Sequence, residues 1–134
     1  MNILFFLKPK SEIAYIRTDD TLRQAIQKME YHKYSSIPIL NKNGKYAGTI
    51  TEGDLLWGIK NKYNLSLKQA EYIPITEIDR RADYTAVRAD AKMEDLVAKA
   101  MNQNFVPVVD DQDNFIGIIT RRDIIGCLRG AISK

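Results

Sequence analysis

The chain carries one plan twice. Pro38 and Pro107, Gly48 and Gly117, Thr51 and Thr120, and Asp54 and Asp123 each stand 69 positions apart. Upstream the offset is 71, where "IRTD" at 16–19 answers "VRAD" at 87–90. Self-similarity at a fixed offset constrains a fold more tightly than composition does, because both copies must solve the same packing problem. The change from 71 to 69 places a two-residue deletion in the second copy, between the helix and the proline in the loop that follows Met29 in the first copy, where length varies most cheaply.

Within each copy the order of elements is readable. A short extended segment (14–17; 86–88) precedes a stretch with apolar residues at i, i+3, i+4 and i+7. These are Leu22, Ala25, Ile26 and Met29 in the first copy, and Met93, Leu96, Val97 and Ala100 in the second. That spacing predicts an amphipathic helix. Strands follow at 37–40 and 106–109, each opened by a proline expected at the strand start, where a missing N–H is tolerated. Five-residue polar turns (41–45; 110–114) lead to second strands that end at Thr51 and Thr120. A second helix then carries Leu55, Leu56 and Ile59, or Ile124, Ile125 and Leu128. "NLSLKQAE" at 64–71 reads as a short linking helix, and Pro74 as the re-entry point. The expected class is α+β. It consists of two repeats (1–62 and 75–134, linker 63–74) related by a pseudo-twofold axis, with sheets packed face to face. A repeat of about 60 residues is marginal alone, so the two are expected to share a core.

Composition excludes several classes. A net charge of +3 over 134 residues suits a small anionic ligand better than a nucleic-acid duplex, which calls for a concentrated basic stripe. One cysteine, Cys127, cannot form an intrachain disulfide and fits a reducing compartment, so a cytoplasmic location is expected. "NILFFL" is too short for a signal peptide, and no stretch approaches a membrane span. One histidine, His32, in a polar loop offers neither a metal set nor a nucleophile–base pair, so no catalytic residue, metal or required cofactor is expected.

The repeated Thr-x-x-Asp carries the chemistry. Thr at the N-cap with an acid three residues on is close to a capping box, and a lone motif of this kind is far more often a cap than a site. The same geometry also suits a nucleotide. A helix N-terminus offers N–H groups to phosphate, a Thr hydroxyl can donate, and a carboxylate can accept from two vicinal ribose hydroxyls.

The helix followed by "SSIPIL" or "NFVPVV", the hairpins, and "GTITEGD" and "GIITRRD" together resemble tandem CBS domains, the pair called a Bateman module. The resemblance runs from about Leu4 to Leu128. It implies a non-enzymatic sensor that binds adenosine-containing nucleotides (AMP, ADP or ATP) between the repeats. S-adenosylmethionine or cyclic diadenosine monophosphate, or a dimerisation module without ligand, are the alternatives. Carried over, one site joins Thr51 and Asp54 to Val87, Asn104 and Phe105 beside Pro107. The other joins Thr120 and Asp123 to Ile16, Thr18, Ser35, Ser36 and Ile37 beside Pro38. Arg122 stands where the first copy has Gly53, so the sites are expected to be unequal, with Arg122 favouring a charged nucleotide at the Asp54 site.

Trp57 on the second helix faces Gly126 in the repeat alignment and is expected at a homodimer interface. Arg80-Arg81, like Lys8 and Lys10, are expected to be solvated charges, with a phosphate rim as the alternative. "DDQDN" lacks the third ligand, the Gly and the closing Glu of a calcium loop, which leaves a hairpin turn.

Overall fold

The computed structural model describes residues 2–60, 69–80 and 83–133, the last three of these as backbone alone. It is a mixed α and β structure with two sheets. Its strands are β1 (Lys8–Pro9), β2 (Ile16–Arg17), β3 (Ser36–Leu40), β4 (Tyr46–Thr51), β5 (Val87–Arg88), β6 (Phe105–Val109) and β7 (Phe115–Thr120). Its α-helices are α1 (Leu22–His32), α2 (Glu52–Gly58), α3 (Met93–Ala100) and α4 (Arg121–Ser133). The chain forms two compact units, one of residues 14–83 and the other of residues 1–13 with 84–134. The N-terminal segment therefore belongs with the second repeat, whereas the repeat pattern alone groups it with the first.

In the 14–83 unit the strand order is β2-β3-β4, with β2 parallel and β4 antiparallel to β3. Thr21 caps α1 in a full capping box: its hydroxyl accepts from Gln24 N (3.2 Å) and its own N–H donates to Gln24 Oε1 (2.8 Å). Leu22, Ala25 and Met29 then face a core with Ile16, Ile37, Ile39 and Ile50, as the helical spacing requires. Of the linking segment, residues 64–68 lie outside the described residues, and Gln69–Tyr72 is a 3-10 turn. Pro74 bridges to Thr21, and Leu22 N donates to Ile73 O (2.7 Å), so the linker lies across the start of α1.

In the other unit the order is β1-β7-β6-β5. Its core joins Leu96 and Ala100 of α3 with Val106, Val108, Ile119, Ile124 and the N-terminal Ile3. Gln103 is buried and locks the entry of β5: its amide oxygen accepts from Thr85 N (3.0 Å), and its amide nitrogen donates to Thr85 O (3.1 Å) and Phe105 O (3.2 Å). The hairpin turns use one chemistry. Asn41 Oδ1 accepts from Asn43 N and Lys45 N, and Asp110 Oδ1 accepts from Gln112 N and Asn114 N, so "DDQDN" is a turn.

The prolines differ from expectation. Pro38 and Pro107 are the third residues of β3 and β6, the inner strands of their sheets, rather than strand openers. Glu52 N donates to Ser35 O, which makes Pro38 and Thr49 a non-hydrogen-bonded pair whose nitrogens point away from each other. Pro38 N thus faces the side of β2, where pairing begins only at Ile39. Pro107 stands in the same relation to β5, whose pairing begins at Val108. No ladder bond is lost, so the inner position is tolerated.

The two sheets differ at one edge. β1 covers the outer edge of β7 as an antiparallel strand, with Lys8 opposite Ile118 and Pro9 opposite Gly117. No strand covers β4 among the described residues; side chains do so instead. Asp83 Oδ1 accepts from Thr49 N (2.9 Å), Arg80 donates to Ala47 O (3.4 Å), and Arg80 and Asp83 pair at 2.9 Å. Both edges press on the repeated glycine. A Cβ on Gly48 (φ +141°) would sit 2.8 Å from Asp83 Oδ2, and one on Gly117 (φ +156°) would collide with the Lys8 carbonyl. The signature glycine is there for close approach at the sheet edge.

Candidate functional site

Each Thr-x-x-Asp forms the corner where an edge strand turns into a helix. In the first repeat, Thr51 Oγ1 accepts from Asp54 N (3.1 Å) and the Asp54 carboxylate accepts from Thr51 N (3.0 Å). Thr51, like Thr49, directs its N–H off the open edge of β4, so Asp54 extends the row begun by Arg80 and Asp83. Asp54 is only 3% exposed. In the second repeat, Asp123 N donates to Thr120 Oγ1 (3.2 Å), and Asp123 is half-buried. Among the described residues the Asp123 carboxylate and the exposed Arg122 guanidinium have no hydrogen-bond or ion-pair partner.

The corners also differ in charge. After Thr51 come Glu52, Gly53 and Asp54; after Thr120 come Arg121, Arg122 and Asp123. Arg121 is held by the end of α3, with Nε donating to Ala100 O (2.7 Å) and Gln103 O (3.0 Å).

Strand register joins each corner to the first strand of its own repeat. Ser36 lies opposite Thr51, Ile37 opposite Ile50, and Ser35 O accepts from Glu52 N (3.0 Å). Ile16 and Thr18 stand at the far side of β3, where Ile16 pairs with Ile39 and Thr18 N donates to Leu40 O. In the second repeat Phe105 lies opposite Thr120, Asn104 O accepts from Arg121 N (2.9 Å), and Val87 pairs with Val108. Ser35 and Asn104 are exposed beside their corners, while Ser36, Ile37, Phe105 and Val87 are buried. Tyr84 was not legible as a neighbour of this site. Its hydroxyl accepts from Asn104 N (2.9 Å) and its ring meets Phe105 edge-on at 5.0 Å. Ile13 occupies its place in the repeat alignment, so no repeated signal marked it.

The remaining candidates fall away from the corners. Arg80 is an edge clamp with 26% side-chain exposure rather than a solvated charge; Arg81 lies outside the described residues. His32 is exposed and stands near the rings of Tyr31 and Tyr34. Cys127 is half-buried on α4. Trp57 is 36% exposed, with Lys60 Nζ 5.3 Å from its ring centre. No described helix is long and apolar enough to cross a membrane, and no cluster of metal-ligating side chains occurs among the described residues.

The family model of the CBS domain matches residues 7–61 and 75–130, one match per repeat. The chain belongs to the CBS domain family, and it carries two copies of the domain. Among curated relatives, the uncharacterized protein MJ1426 of Methanocaldococcus jannaschii is 30% identical over 141 residues, which covers 82% of either chain. The uncharacterized protein MJ1225 of the same organism is 27% identical, and the match spans 92% of this chain but 48% of that one. Among solved structures, the CbpB protein of Listeria monocytogenes in complex with c-di-AMP superposes with a TM-score of 0.84. It is 21% identical, and the match covers 99% of this chain and 98% of that one. CBSX2 in complex with AMP superposes with a TM-score of 0.76 at 18% identity, with 99% and 98% covered. At these identities the solved structures speak for the fold.

Proposed function

We propose that this chain is a regulatory module that binds an adenosine-containing nucleotide at a Thr-x-x-Asp corner of its CBS repeats. The observation that carries the reading is the second corner, where a half-buried Asp123 carboxylate stands at the N-terminus of α4 beside Arg122, both without a partner among the described residues. Such a corner offers an acceptor to a ribose diol and positive potential to a phosphate. Thr120, Asn104 and Phe105 border it, and Val87 lines the same sheet. Thr51, Asp54, Ser35, Ser36 and Ile37, with Ile16 and Thr18 in the same sheet, hold the corresponding positions of the first repeat. Support for the ligand class comes from two proteins of the same fold that were solved with AMP and with c-di-AMP.

The regulatory role assigns the protein binding without turnover. Its signal passes to a second copy or another protein through the apolar residues that the second helices leave exposed. Leu56 is 59% and Ile125 54% exposed, against the near-complete burial of Leu55 and Ile124 beside them. A homodimer through these helices is the proposed assembly. A cytoplasmic location fits a sensor of nucleotide level.

A thermal-shift series with AMP, ADP, ATP, c-di-AMP and S-adenosylmethionine against GTP tests the reading. A ligand at about 100 times its Kd stabilises the fold by about 2.7 kcal/mol, enough to move a melting curve. Adenine compounds should raise Tm and GTP should not; equal shifts would refute adenosine recognition. A dominant response to c-di-AMP would favour the cyclic dinucleotide as the ligand, in line with the CbpB likeness.

A further inference from the structure

The two corners share a sequence signature, but their side chains are committed differently. Asp54 is buried at 3% exposure, and its carboxylate already accepts from Thr51 N at 3.0 Å. That N–H lies on the edge of β4 that no strand covers among the described residues. Turning the carboxylate toward a ligand would leave a main-chain donor without its partner, and the ligand's hydrogen bond would be offset by that loss. The surrounding charge also opposes an anion, since Glu52 and Asp54 sit in the first turn with no base between them.

The second corner is the reverse in each respect. The Asp123 carboxylate is half-buried and has no partner among the described residues. Arg122 beside it is exposed and likewise unpaired, and Arg121 adds a second fixed cation. The helix behind them runs for 13 residues. An anion approaching this corner meets two arginines and one acid, where the first corner presents two acids.

We infer that the corners have divided between the two roles open to the motif: Thr120–Asp123 is the nucleotide corner, and Thr51–Asp54 is a structural cap that holds none. The chain then binds one mononucleotide rather than two, although its signature occurs twice. The inference rests on the nucleotide reading above for its ligand half. The cap half stands on the hydrogen bonds and burial of Asp54 alone.

Calorimetric titration of AMP into the wild type, Asp54→Ala and Asp123→Ala, with melting curves of the three ligand-free proteins, tests both halves. Wild type and Asp54→Ala should each take up one AMP per chain. Asp123→Ala should lose at least tenfold in affinity. Without ligand, Asp54→Ala should melt about 2–6 °C below wild type, and Asp123→Ala within about a degree of it. Should Asp54→Ala fail to fold, Asp54→Asn keeps an acceptor for Thr51 N–H and should still bind one AMP. Two AMP per wild-type chain, falling to one in either Asp54 variant, would overturn the division of roles. So would equal melting shifts in the two alanine variants. A wild type that binds no adenine nucleotide would refute the nucleotide reading and the ligand half with it, while the ligand-free melts would still decide the cap.

Discussion

The Asp83 carboxylate accepts a hydrogen bond from Thr49 N at 2.9 Å, across 34 positions of chain, and thereby does at the edge of β4 what a neighbouring strand does for β7. Thr49 is fully buried, so its N–H has no recourse to water if the acceptor is removed. Asp83→Ala should destabilise the protein by about 1–3 kcal/mol, the range for an orphaned buried donor, read as a drop in the urea midpoint at constant m. Asp83→Asn keeps an acceptor and should lose less. Identical midpoints for alanine and wild type would show that the edge is held by other contacts.

Gly117 is the counterpart test on the other sheet. Its positive φ and the Lys8 carbonyl in the Cβ direction leave no room for a side chain. Gly117→Ala should be destabilising by about 2 kcal/mol or more, because strain and displacement of β1 add. Hydrogen exchange should quicken first in residues 3–12. Protection lost evenly across the protein would mean that β1 is not what the glycine accommodates.

Gln103 joins Thr85 to Phe105 with both ends of its amide while buried. Gln103→Leu preserves bulk but strands several main-chain groups at once, and should remove about 2–3 kcal/mol of stability. A melting temperature within a degree of wild type would contradict this account.

Arg122 is exposed and unpaired among the described residues, so Arg122→Ala should leave the empty protein's stability unchanged. If it meets phosphate, the same change should weaken AMP binding about tenfold and adenosine binding hardly at all. Equal losses for the two ligands would remove it from that role.

Leu56→Lys or Ile125→Lys places a charge on the apolar strip of a second helix and should lower self-association in sedimentation without altering AMP affinity. A wild type that sediments as a monomer at high concentration would dispose of the dimer.

Much of this architecture could be read from the residues themselves, because the signals are local. Leu22, Ala25 and Met29, or Leu96 and Ala100, declare a buried helix face within one or two turns, and the core contains them all. Asn41 and Asp110 declare their turns through bonds that reach at most four residues. Thr51 and Thr120 likewise declare helix starts, since a cap is satisfied three residues on. Tertiary structure decided what depends on distant segments. Which stretch covers each sheet edge was open: 1–13 joins the second repeat through Lys8 and Pro9, and Arg80 with Asp83 closes the first. Pro38 and Pro107 sit inside inner strands because short parallel neighbours stop just beyond them. The same dependence separates Asp54 from Asp123. Their motifs are alike, but an N–H on an uncovered edge engages one carboxylate, whereas the other remains without a partner among the described residues. A sequence motif specifies the donors and acceptors within its own few residues; only the folded chain determines which of them are still free to meet a ligand.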